Sequence, residues 1–141
     1  MFPNREDNAK PARILQSVTA YDQLLKSYDV SDLLDEIASA DPPAFLKRCF
    51  AEGISAPALS FRRVQELAVC AMVLDSIVDG RAYAGLEPEL IEDWRAHYAH
   101  DCARMRDNAA AALRRARTSL GPQDADAAAE LAELERRIAP A

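Results

Sequence analysis

From Leu67 to Leu74 every residue is apolar. The run sits inside Phe61 to Asp79, where charge lies near the ends: Arg62, Arg63 and Glu66 before it, Asp75 and Asp79 after it. At 100° per residue the apolar side chains point all round a helix axis, and such a helix belongs inside a protein or a membrane. A bilayer crossing needs about 20 predominantly apolar residues, so the run predicts a buried central helix over residues 61–79. Ser60 supplies an N-cap and Gly80 a stop. The rest of the chain has to wrap this helix.

At 141 residues the chain has the size of one domain. Half of its residues are apolar and 28% are charged, a balance that argues against disorder. Glycine is scarce and the prolines fall mostly at segment edges, which suits helices joined by short loops. No β-alternation of useful length and no internal repeat occurs. The fold class is therefore all-α: a compact multi-helix bundle of five to six helices around residues 61–79. Residues 11–141 form one domain behind a flexible polar segment, 1–10.

Pro11 suits a first helical turn, and Ile14, Val18, Tyr21, Leu25 and Tyr28 step by four, three, four and three, a narrow stripe on one helix. Ser31 is the expected cap of a short helix burying Leu33, Leu34 and Ile37. Asp41 caps the next, with Pro42 and Pro43 in its first turn, where proline forfeits no helical hydrogen bond. That helix carries Phe45, Leu46, Cys49 and Phe50, with Gly53 as the expected C′ residue. After a short connection, Arg81 to Gly85, Pro88 opens the longest helix, about 87–118 and roughly 45 Å long. Its apolar side runs through Ile91, Trp94, Tyr98, Cys102, Met105, Ala109, Ala112 and Ala116. Gly121-Pro122 ends it. A last helix from about Asp124 offers Leu131, Leu134 and Ile138 for packing.

The formal net charge is −6. An acidic surface disfavours nucleic acid and anionic membranes, because phosphate contacts need clustered cations; it suits a basic protein partner. Arg104, Arg106, Arg114, Arg115 and Arg117 make 101–120 the one basic segment, but they spread round the helix and are expected to pair with the acidic last helix. The cysteines, Cys49, Cys70 and Cys102, are far apart and odd in number, which predicts buried free thiols in a reducing compartment. The first residues carry no hydrophobic signal segment, so the expected location is cytoplasmic.

Both histidines lie within residues 92–101, EDWRAHYAHD. Spacings of three and four put Asp93, His97, His100 and Asp101 on one flank of the long helix, with Arg104 beside them. Imidazole and carboxylate in that pattern can ligate a divalent metal, with Asp75 or Asp79 as further ligands; a solvated charged flank is the competing reading, and no cofactor is expected. Asp75 and Asp79, four apart at the end of a buried helix, are expected to pair with Arg81 or an arginine of the long helix. No Gly-x-Ser-x-Gly and no phosphate loop occurs.

Arg95 and His100 stand in an R-x4-H spacing that resembles the motif of the HEPN ribonucleases. The resemblance covers six residues and implies a small helical dimer in which arginine and histidine act on the RNA phosphodiester. A ribonuclease or metal-dependent hydrolase built on Arg95, His97, His100 and Asp101 is thus the alternative function. The leading expectation is a small non-catalytic protein, a regulator, adaptor or toxin-neutralising type, that docks an acidic surface, Asp29, Asp32, Asp35 and Glu36, onto a basic partner. A subunit of a larger assembly is a third class. The alanine side of the long helix also suits pairing with a second copy, which would make a homodimer.

Overall fold

A computed structural model describes residues 21–139. Among the described residues the chain forms six α-helices: α1 Val30–Ser39, α2 Pro42–Ser55, α3 Phe61–Asp79, α4 Pro88–Ala103, α5 Arg106–Ser119 and α6 Ala125–Ile138. A 3-10 turn, Pro122–Asp124, precedes α6. The fold is an all-α bundle, with no strand among the described residues.

Local chemistry sets the ends of α3. The Ser60 hydroxyl accepts from the Arg63 amide, and Gly80 closes the helix in the left-handed region at φ 75°, where a residue without Cβ carries no steric cost. Val64, Gln65 and every residue from Leu67 to Ile77 are buried. Helices α2, α4, α5 and α6 all pack against α3. The all-round apolar surface is therefore matched by neighbours on every side, while α1 lies outside α2. Asp41 caps α2, its carboxylate accepting from the Ala44 amide, with Pro42 in the first turn.

Four sequence expectations are corrected. The expected helix over 87–118 is two helices, α4 and α5, separated at Arg104 and Met105. There the Arg104 amide donates to Asp101 and the Met105 amide to Cys102, a tighter i→i+3 pattern than the α-helix. A straight helix of ~45 Å would overrun α3, which at 19 residues spans about 28 Å. Cys102, Met105 and Ala109 are all buried across the break.

Next, the expected first helix does not reach Tyr28. Segment 1–10 and residues 11–20 lie outside the described residues, and residues 22–27 form a turn with Ser27 at φ 61°. Side chains hold this turn on the core. The buried Gln65 amide donates to the carbonyls of Leu24 and Lys26, both at 3.0 Å, and Glu130 accepts from the Leu24 amide at 2.7 Å. The cap of α1 is Asp29 rather than Ser31: its carboxylate accepts from the Asp32 amide, and Ser31 is inside the helix. Finally, α2 runs on past Gly53 to Ser55, and Gly53 is buried. A Cβ there would stand 2.7 Å from a Leu67 methyl, so the glycine serves close α2–α3 packing.

The last helix buries Leu131, Leu134 and Ile138 as expected, and Ala127 with them. Its Glu135 accepts from both Arg114 and Arg117 of α5, the pairing anticipated between the basic segment and the acidic helix.

Several buried or half-buried groups have raised pKa values. Burial pushes up the hydroxyls of Tyr21, Tyr28 and Tyr83, and hydrogen bonding to Asp75 adds to the effect at Tyr83. Burial likewise pushes the Cys102 thiol to about 12. These groups keep their protons more tightly folded than unfolded. Their contribution to stability is whole below the unfolded values, about 8.5 for cysteine and 10 for tyrosine, and is lost as pH climbs toward the folded ones. We expect a denaturant midpoint that falls steeply above about pH 9, with tyrosinate absorbance from these three residues appearing only as helix is lost. Tyrosinate from all of them forming while the helical circular dichroism is intact would contradict this packing.

Candidate functional site

Three groups of polar side chains qualify for attention. The first is the outer surface of α1. Leu33, Leu34 and Ile37 turn inward, and Asp32, Asp35 and Glu36, spaced three and four apart, turn outward together and are exposed. Asp29, also exposed, extends the row while capping the helix. No salt bridge involves any of these four carboxylates among the described residues.

Two open clefts flank Glu36. The larger, about 410 Å³, lies against α2 and is lined by Asp35, Glu36, Ser39, Ala40, Phe45 and Arg48. The Arg48 guanidinium stands 5.1 Å from the centre of the Phe45 ring, so the chain's own cation covers the aromatic wall of the cleft, and Asp35 and Glu36 supply the carboxylates of its lining. The smaller cleft, about 220 Å³, lies between Tyr28, Glu36 and the first turn of α3, where Arg62 stands 5.7 Å over the Tyr28 ring.

The second group is the flank of α4. Asp93, His97, His100 and Asp101 are all exposed. The His97 ring nitrogen Nδ1 lies 2.8 Å from the Asp93 carbonyl oxygen and 3.6 Å from its carboxylate, the arrangement of an i, i+4 surface pair. Among the described residues no three histidine, cysteine or carboxylate side chains converge as a metal site would need. Arg95 Nε donates to the Ile77 carbonyl at 3.1 Å, tying the guanidinium to the end of α3 beside Gly80. Five residues on, His100 is about 140° away round a regular helix. The structure thus joins Asp93 to His97 and does not gather Arg95, His97, His100 and Asp101 round one point.

The third group sits where α3 ends. Asp75 is wholly buried and accepts from Arg81 through both oxygens, at 2.7 and 2.9 Å, and from the Tyr83 hydroxyl at 2.5 Å. Arg106 donates to Asp79 and to the Ile138 carbonyl and lies 4.0 Å from Asp75. The aspartates were expected to pair with Arg81 or an arginine of the long helix, and both occur: Arg81 holds Asp75, and Arg106, within the span expected as that helix, holds Asp79. Tyr21 stacks on Tyr83 with ring centres 6.2 Å apart, and Arg137 stands 6.0 Å over the same ring. Each charge here is met by an opposite one, and the cluster fastens the 81–83 connection and α5 to the end of α3.

Sequence reasoning missed three contacts. Gln65 carried no signal in the sequence, yet it is the buried anchor of the 22–27 turn. Tyr83 carried no signal beyond being aromatic in a short connection. Cys49 and Cys70 stand 3.4 Å apart, sulfur to sulfur; their separation along the chain follows no pairing pattern, and only the crossing of α2 and α3 unites them.

No protein family, curated protein or solved structure matches this chain. The fold and surface define an all-α helical domain with an acidic helix at its margin. No described helix is long and apolar enough to cross a membrane.

Proposed function

We propose that the protein is a non-catalytic cytoplasmic interaction protein that docks the outer face of α1 onto a basic protein partner. The observation that carries this reading is the row of Asp29, Asp32, Asp35 and Glu36, exposed and in no described salt bridge, beside a cleft with an aromatic wall. A partner lysine or arginine at that cleft meets the Asp35 and Glu36 carboxylates that line it. Complementarity of this kind chiefly raises the association rate and the selectivity among partners. The regulatory, adaptor and toxin-neutralising roles all use such a face.

The test is zero-length carbodiimide coupling of carboxylates to lysines in lysate of the cells that make the protein, with the coupled peptides mapped. Coupling through α1 carboxylates to lysines of one partner is expected, with loss of that partner in the Asp32→Lys/Asp35→Lys/Glu36→Lys variant. Coupling confined to Asp93, Asp101 or the α6 acids, with the variant unimpaired, would refute the docking face.

A further inference from the structure

Cys49 lies on α2 and Cys70 at the middle of α3, both buried, with their sulfurs 3.4 Å apart. The Cys70 thiol donates to the Cys49 sulfur. A disulfide brings two sulfurs to about 2.05 Å, so closure needs an approach of roughly 1.3 Å. Cys102, on α4, has no such sulfur partner among the described residues. From this geometry we infer that Cys49 and Cys70 are a modification site: a dithiol that two-electron oxidation converts to a disulfide clamping α2 to α3. The inference is independent of the docking face on α1.

The oxidant is a hydroperoxide or a small-molecule disulfide. With hydrogen peroxide, one sulfur attacks a peroxide oxygen, the O–O bond breaks and a sulfenic acid and water form. The second sulfur then attacks the sulfenic sulfur; the S–S bond forms, the S–O bond breaks and a second water leaves. With glutathione disulfide, exchange through a mixed disulfide releases two glutathione thiols. The hydrogen bond to Cys49 and burial both push the Cys70 thiol well above the usual range. Cys70 therefore rests as the thiol and reacts slowly while the core is closed, since the thiolate is the nucleophile. Once formed, the bond closes a loop of about 20 residues, Phe50 to Val69, and removes that loop's freedom from the unfolded chain.

The test uses the full chain. Reduced protein is exposed to hydrogen peroxide at neutral pH, unfolded, alkylated, digested and mapped by mass spectrometry. In a second arm, reduced chain is refolded from urea in a glutathione and glutathione-disulfide buffer, where the open chain meets the oxidant and burial cannot account for a negative. A linked peptide joining Cys49 to Cys70, with Cys102 alkylated, is expected, and linkage in either arm supports the assignment. The linked form should melt higher by roughly 5 to 10 °C, an increase that dithiothreitol reverses and Cys70→Ala abolishes. Three alkylated thiols in both arms, or pairing through Cys102, would overturn the site. A linked form melting at or below the reduced protein would overturn the clamp.

Discussion

Arg81→Met is expected to lower the free energy of unfolding by about 3 kcal/mol in urea, because it strands a buried charge. Asp75 has no exposed surface and depends on Arg81 for two of its hydrogen bonds. The substitution leaves it the Tyr83 hydroxyl and an Arg106 guanidinium at 4.0 Å that is already bonded to Asp79 and Ile138. The flexible aliphatic replacement keeps much of the volume, so the loss reports the carboxylate and not a cavity. Removing that carboxylate as well, in Arg81→Met/Asp75→Leu, is expected to be more stable than Arg81→Met alone, as the uncompensated charge is gone. An Arg81→Met protein within about 0.5 kcal/mol of wild type, the usual range for a surface change, would mean that the cluster at the end of α3 does not form.

Leu67→Ala is expected to cost about 3 kcal/mol, the transfer of the lost methyls plus the cavity they leave. Leu67 is fully buried, and its methyls occupy the space that a Cβ at Gly53 would enter, at 2.7 and 2.8 Å. Adding Gly53→Ala to Leu67→Ala should therefore regain about 1 kcal/mol, since the new methyl fills part of the hole and alanine favours the helix over glycine. The two positions are coupled, so the double variant will not equal the sum of the singles. A Gly53→Ala change that further destabilises the Leu67→Ala protein would contradict the close α2–α3 contact.

The parts of the fold legible in the sequence are those decided by neighbours along the chain. Helix α3 begins and ends where Ser60 and Gly80 said it would, because a hydroxyl cap and a left-handed glycine act within one turn. The inward positions of α1 follow from periodicity alone, and with them the outward row of acids. The break at Arg104 and Met105 was not legible, since no glycine or proline marks it; it answers to the length of α3, a property of the packed bundle. Gly53 misled for the same reason. A glycine near a helix end resembles a stop, and only the approach of Leu67 shows that it is there for its lack of a side chain. Ser31 and Asp29 are both competent caps, and the choice between them rests on the entry of the chain from the 22–27 turn. In the candidate site, the exposure of the four acids was readable, whereas the clefts beside Glu36 required the crossing of α1, α2 and α3 to be known.

The most direct test of docking through α1 is the affinity of the purified protein for its coupled partner, measured at low and at high salt. Charge-led association between exposed groups is screened as the Debye length contracts from about 10 Å at 0.1 M to 3 Å at 1 M. The affinity is expected to fall several-fold with salt, chiefly through a slower association rate, and the Asp32→Lys/Asp35→Lys/Glu36→Lys variant to bind weakly at low salt and lose most of that dependence. An affinity unchanged between the two salt concentrations, or a variant that binds as wild type does, would contradict docking through α1.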